Sequence, residues 1–242
     1  METWRLIVTF GATPSFNMGL DEALLGSESA PPTLRLYTWR PDTLSLGYFQ
    51  RFADVPAAER AAKVVRRITG GGAIHHANEL TFSITSGLAH PLYAGPLAES
   101  YRRVHRVIAA ALAEYGVPAE LRGERALLSD RAGSGMCFQR STPLDLVWDE
   151  RKGVGSAQRR KSGRVLHHGS IKLGASPLEG EIATVDRQGI GIGAESFAPA
   201  LRAAFERELG CVLESTVPDP DERSRALVLG ARYLDPEFVR CR

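Results

Sequence analysis

Cys137 and Lys152 are the residues best suited to group-transfer chemistry. Cys137 sits in Gly133-Ser134-Gly135-Met136-Cys137-Phe138, a glycine-rich stretch where a packing residue is out of place. Spacing alone leaves two readings open, an inert thiol or a nucleophile. A nucleophilic cysteine acts as its thiolate and needs cations or donors close by. Lys152 and the pairs His75-His76 and His167-His168 are the candidates, all remote from it in sequence. Upstream, Arg66-Arg67-Ile68-Thr69-Gly70-Gly71-Gly72 sets two guanidiniums beside three consecutive glycines. Such a run makes a poor helix or strand interior. It suits a tight turn whose N–H groups approach a carboxylate, a phosphate or an acyl oxygen. After Lys152, the small residues of Gly153-Val154-Gly155-Ser156-Ala157 let a ligand come close to a strand.

Other chemistries are weaker. Neighbouring residues on a strand point to opposite faces, so each histidine pair offers one side chain to a common site. Two histidines and Cys137 lack the spacing of a metal motif, and no metal is expected. Cys211 and Cys241 lie in apolar or terminal contexts and read as non-catalytic. Lys152 itself falls at a turn-like Asp149-Glu150-Arg151-Lys152, where a lysine is ordinarily solvated. Net charge is only +2, with 43% hydrophobic and 24% charged residues, so basic surface is local. Arg102, Arg103 and Arg106, and the run Arg159, Arg160, Lys161 and Arg164, suit an acidic protein partner by steering. No aromatic interleaving points to nucleic acid. The opening residues run straight into a strand pattern, and no apolar run is long enough to span a membrane. With three widely spaced cysteines, this gives the expectation of a cytoplasmic protein.

The elements that must position these residues follow from periodicity. Trp4–Thr9 reads as a strand, and Thr13 caps a helix over Phe16–Leu25. Leu34–Trp39 and Leu44–Tyr48 read as strands joined by Arg40-Pro41-Asp42 into a hairpin. A short helix is expected over Pro56–Lys63, and a strand from Glu79 to Thr85. Pro96–Tyr115 is a helix burying Leu97, Tyr101, Val104, Ile108, Ala111 and Leu112. Residues 122–143 form a long loop. Strands follow at Leu144–Trp148, Gly153–Gln158 and Arg164–Leu173. From Glu195 to the end the chain reads as helical, in two segments and a tail. Strands cluster rather than alternate with helices, so the fold class is α/β (α+β), a mixed, largely antiparallel sheet with flanking helices, in one domain over 1–242.

Taken together, Asn17-Met18-x-x-Asp21-Glu22-Ala23-Leu24-Leu25, Arg66-Arg67-x-Thr69-Gly70-Gly71-Gly72-Ala73-x-x-His76, Glu79-Leu80-Thr81-Phe82-Ser83, Lys152-x-x-Gly155-Ser156-Ala157-Gln158 and His168-Gly169-Ser170-Ile171 resemble, in order, the lipoate/biotin protein ligase catalytic domain over residues 4–175. Cys137 ahead of the lysine strand resembles the cysteine-dependent octanoyltransferases of Gram-positive type. That resemblance implies catalysis by Cys137 and Lys152. It implies substrate contacts at Arg67, Thr69, Gly70, Gly71, Gly72, His76, Ser83, Gly155, Ser156, Ala157, His168 and Gly169. The implied reaction moves an octanoyl group from octanoyl-acyl carrier protein, through a cysteine thioester, to a lysine of a lipoyl domain or the glycine-cleavage H protein. No cofactor is implied, and either His76 or His168 serves as base. Two alternatives stand beside it: an ATP- and Mg-dependent lipoate ligase in which Cys137 is incidental, and a non-catalytic module that binds lipoyl domains.

Overall fold

The computed structural model describes residues 1–28, 30–40 and 42–241. An eight-stranded sheet runs through it in the order β11-β1-β2-β6-β10-β9-β8-β7. Its strands are β1 (Glu2–Ala12), β2 (Thr33–Trp39), β6 (Glu79–Gly87), β7 (Glu120–Leu121), β8 (Leu146–Trp148), β9 (Arg151–Lys161), β10 (Arg164–Lys172) and β11 (Cys211–Thr216). Only the β11–β1 and β1–β2 pairs are parallel; the others are antiparallel, as expected. A second sheet has three strands, β4-β3-β5, from β3 (Thr43–Leu46), β4 (Lys63–Arg66) and β5 (Ile74–His76).

Strand alternation gives the large sheet two buried faces of opposite character. On β6, Leu80, Phe82 and Ile84 enter the main core, where they meet Val104, Ile108 and Leu112 of α2 (Leu97–Ala113) and Phe197, Leu201 and Phe205 of α3 (Ala194–Leu209). The intervening Glu79, Thr81, Ser83 and Thr85 are equally buried on the other face. There they share space with Arg35 and Tyr37 of β2 and His168 and Ser170 of β10. A face of buried polar groups must be internally hydrogen-bonded. It is covered by α1 (Pro14–Leu25) and the small sheet. The Thr13 hydroxyl accepts from the Phe16 N–H to start α1. α4 (Pro220–Arg232), opened by an Asp219/Glu222 capping box, backs α1 through Ala226. α5 (Pro236–Arg240) closes over the small sheet.

Several expectations fail for topological reasons. β2 and β3 are not a hairpin. Both edges of β2 are taken, by β1 and β6, so the chain leaves the large sheet and β3 pairs with β4 and β5. Of the turn assigned to this link, Pro41 lies outside the described residues. The helix expected over Pro56–Lys63 is a 3-10 turn over Pro56–Glu59, and Lys63 already begins β4. Leu97 is 52% exposed instead of buried, because α2 starts there and its inner face runs through Ser100, Val104 and His105. The C-terminal part contains the edge strand β11 between its helices. Among the described residues, no helix is long and apolar enough to cross a membrane.

Candidate active site

A cleft opens between the polar face of the large sheet and the small sheet. Arg67, Gly70, Gly71, His76, Cys137, Gly155, Ser156, Ala157, His168 and Gly169 all line it. One histidine of each pair reaches it, as strand alternation requires: His75 turns away to Ser176, and His167 to the hydroxyl of Ser156, which with His105 lies on the face of the sheet opposite His168, so Ser156 offers the cleft no side-chain contact.

Cys137 is half-buried at the start of a 3-10 turn over Cys137–Gln139. Its loop is fastened to the end of the glycine run by backbone bonds. The Cys137 N–H donates to the Ala73 carbonyl at 2.7 Å, and the Ala73 N–H to the Gly135 carbonyl at 2.8 Å. This zipper needs a glycine at 72. A Cβ there would lie 2.8 Å from the Cys137 nitrogen and 2.9 Å from its Cα. Gly72 therefore admits the cysteine loop, not a ligand.

Lys152 occupies β9, not a solvated turn, and is 3% exposed. Its ammonium has three protons and three acceptors: Asp145 Oδ2 at 2.9 Å, the Arg140 carbonyl at 3.3 Å and Cys137 Sγ at 3.4 Å. Burial opposes this charge, but Cys137 and Asp145 outweigh it and raise the Lys152 pKa. The Thr142 N–H holds the same Asp145 oxygen at 2.6 Å. Gly155 makes room for the ammonium, since a Cβ at 155 would meet Lys152 Cε at 2.7 Å. Two ammoniums lie near the Phe138 ring, Lys152 Nζ 5.5 Å and Lys172 Nζ 4.9 Å from its centre.

The two arginines do not flank an anion as a pair. Arg66 is buried and donates to the carbonyls of Gly47, Gln50 and Val239, tying β4 to α5. Arg67 shapes the cradle from behind. Its guanidinium donates to the Gly70 and Gly72 carbonyls at 2.8 and 2.7 Å and to the Ser45 carbonyl and hydroxyl at 3.0 and 3.2 Å. Burial lowers its pKa to about 10, against the pull of Cys137. With those carbonyls turned to Arg67, the N–H groups of Gly70, Gly71 and Gly72 donate to no group among the described residues.

Both cleft histidines are pinned. His76 Nδ1 lies 2.5 Å from Glu79 Oε1 and Nε2 lies 2.8 Å from Ser45 Oγ. Its ring stacks on Trp39 at 4.0 Å. Burial lowers the His76 pKa to about 4 despite Glu79. His168 Nε2 lies 2.6 Å from Thr69 Oγ1 and Nδ1 lies 3.3 Å from Asp21 Oδ2. Asp21 also takes Arg35, Tyr37 and Ser83, so Ser83 acts behind the wall and not on a ligand. Gly169 serves packing, since a Cβ there would strike the Phe82 ring at 2.7 Å. Sequence reasoning missed Ser45 and Asp145 as site residues. Asp145 was visible in Leu144-Asp145-Leu146 as a lone carboxylate opening a buried strand. Ser45 carried no signal. The basic run splits: Arg159 lies over the Tyr48 ring, while Arg160 bonds Gln158 on the opposite face. Among the described residues, no three His, Cys, Asp or Glu side chains are grouped to hold a metal.

Residues 13–179 match the lipoyl protein ligase A/B catalytic domain. The octanoyltransferase LipM of Moorella thermoacetica is 43% identical over 179 residues, covering 71% of this chain and 66% of that protein. The chain thus spans just under two thirds of this relative's length. The octanoyltransferase LipM of Kyrpidia tusciae is 35% identical over 272 aligned positions, covering 98% of both. Among solved structures, a T. acidophilum protein described as a lipoate protein ligase, with bound lipoic acid, superposes with a TM-score of 0.81 at 21% identity over 100% of both chains.

Proposed function

The chain belongs to the lipoyl protein ligase A/B catalytic-domain family, with curated relatives that are acyltransferases, and we propose that it transfers an octanoyl group from octanoyl-acyl carrier protein to a lysine of a lipoyl domain or the glycine-cleavage H protein, in lipoate biosynthesis. One observation carries the reading: Cys137 Sγ stands at the cleft with the Lys152 ammonium 3.4 Å away.

Cys137 loses its proton and attacks the carbonyl carbon of the donor thioester. The carbon–sulfur bond to the carrier breaks, and the carrier thiolate takes up a proton. One thioester replaces another, so the step is close to isoenergetic and calls for neither nucleotide nor metal. Lys152 supplies the counter-charge for the thiolate on both sides of the exchange. The N–H groups of the glycine run are the donors available to the tetrahedral oxyanion; one such donor is worth roughly 3–4 kcal/mol elsewhere. The acyl chain lies along the cleft floor at Ala157, toward Met18 and Tyr37. The acceptor lysine, as its free amine, then attacks the acyl-enzyme; the carbon–nitrogen bond forms as the carbon–sulfur bond breaks, and the proton lost by the amine restores the Cys137 thiol. Roles for Arg67, Thr69 and His168 are those of wall and support.

Incubation with octanoyl-acyl carrier protein without ATP, followed by intact-mass measurement, tests this. A gain of one octanoyl group that is absent in Cys137→Ala is expected. ATP-dependent modification of a lipoyl domain with free lipoate, unchanged in Cys137→Ala, would instead establish a ligase.

A further inference from the structure

Beside the cleft lies a second cavity, whose lining includes Glu22, Tyr48, Ile68, Arg159, Lys161 and Arg164. Three elements pass from one space to the other. On β9, the side chains of one face run from Ala157 in the cleft to Arg159 and Lys161 in the cavity. Along α1, Met18 lines the cleft, and Glu22 and Leu25, one and two turns on, line the cavity. In the glycine run, Gly70 and Gly71 line the cleft and Ile68 the cavity. The Tyr48 N–H donates to the Thr69 carbonyl at 2.8 Å, which ties the cavity wall to the cradle.

Positive charge is left over here. Glu22 is taken by Arg232 at 2.7 Å and by the Tyr233 hydroxyl at 2.8 Å. Among the described residues, none of Arg159, Lys161 and Arg164 forms an ion pair with a carboxylate. Arg164 is 5% exposed and stands in the wall. Its Nη1 donates to the Glu28 and Ala30 carbonyls at 3.2 and 3.3 Å, while Nε and Nη2 are enclosed with no acceptor among the described residues. Burial lowers its pKa, against the pull of Glu28. A guanidinium fixed in a wall without a counter-ion raises the potential of the space before it, where water screens weakly. Arg159 and Lys161 stand in that space with freedom to close on an anion. Arg159 is half-buried, its Cζ 5.8 Å from the Tyr48 ring centre, and Lys161 is exposed.

We propose that Arg159 and Lys161, backed by Arg164, bind the phosphate of the donor's phosphopantetheine arm, an inference that rests on the transferase reading above. A carrier protein holds its acyl thioester at the end of this arm, with a phosphodiester at the other end. Gly155, packed against the Lys152 ammonium, marks the reacting end of β9. Arg159 and Lys161 lie four and six residues further on, about 13–20 Å along an extended strand. An extended pantetheine arm covers such a span. The acyl chain turns inward toward Met18 and Tyr37, and the arm follows β9 outward. No bond is made or broken at the phosphate. Its capture raises the occupancy of the thioester carbonyl at Cys137.

Two free arms, S-octanoyl-phosphopantetheine and S-octanoyl-pantetheine, differ only in the phosphate. Second-order rates of Cys137 acylation from each, followed by intact mass, give a ratio from which damage to the fold cancels. The wild-type ratio is expected to be about tenfold or more, and to fall to near one in Arg159→Gln/Lys161→Gln. Arg160 bonds Gln158 on the opposite face, so Arg160→Gln is expected to keep the ratio. A wild-type ratio near one, a double variant that keeps the ratio, or an equal fall in Arg160→Gln would overturn the site. Loading from octanoyl-acyl carrier protein but from neither free arm would also overturn it, because recognition would then rest on the carrier's own surface. These outcomes leave the transferase reading intact; failure to load from any of the three donors would overturn both.

Discussion

Gly72→Ala perturbs the joint on which the site depends. The added Cβ would sit 2.8 Å from the Cys137 nitrogen, 2.9 Å from its Cα and 3.0 Å from the Gly135 carbonyl oxygen. Ordinary contact lies near 3.5 Å, so the cysteine loop must retreat by more than about half an ångström. All three obstructing atoms are backbone, and no side chain can rotate away. The retreat strains the two bonds of the zipper, at 2.7 and 2.8 Å. Overpacking of this kind costs about 1–3 kcal/mol of stability. A misplacement near 1 Å can slow a reaction about a hundredfold, so half that displacement is expected to slow Cys137 acylation roughly tenfold. Single-turnover loading from octanoyl-acyl carrier protein and urea unfolding measure the two effects. Gly70→Ala is the comparison, since its Cβ would meet only the Phe49 ring at 3.8 Å. Its unfolding free energy is expected within about 0.5 kcal/mol of the parent. A Gly72→Ala protein as stable and as fast as the parent would refute the claim that this glycine admits the cysteine loop.

The remaining predictions concern charge and space. Asp145→Ala removes the carboxylate partner of the buried Lys152 and is expected to destabilise by about 3 kcal/mol in urea unfolding; a loss under about 1 kcal/mol would show that the ammonium finds water instead. Gly155→Ala is expected to fold but to load octanoyl slowly, because the methyl displaces the flexible Lys152 tip from the sulfur; unchanged loading would contradict this. His76 is neutral in the fold down to about pH 4, while its unfolded form takes a proton below about pH 6.5. Stability is therefore full above pH 6.5 and lost as pH falls toward 4, by about 3 kcal/mol from this residue. Burial also lowers the pKa of His75, His105 and His167, with the same sign. Urea midpoints that stay flat between pH 7 and 4.5, or a His76→Gln protein with an undiminished acid slope, would count against it.

Local sequence determined the pieces. Thr13 before Pro14 starts α1, the 3.6-residue pattern of α2 marks its buried face, and the glycine run permits only a turn. The alternation Leu80, Phe82, Ile84 against Glu79, Thr81, Ser83 was legible as a strand, and ordered motifs were enough to suggest the family and to single out Cys137 and Lys152. Periodicity also foretold that one histidine of each pair would face the cleft. What it left undecided depended on atoms far apart in the chain. Strand pairing is a competition for edges, and β2 had none left for β3. The buried polar face of β6 looks like a solvated one until the small sheet covers it. Arg66 and Arg67 are adjacent and alike, yet one ties β4 to α5 and the other shapes the cradle. Gly72 and Gly155 read as ligand space, and tertiary contact assigns that space to the cysteine loop and to the Lys152 ammonium. The approach of Lys152 to Cys137 is of the same kind: a 3.4 Å contact made by β9 and a loop zipped to Ala73, which no spacing along the chain encodes.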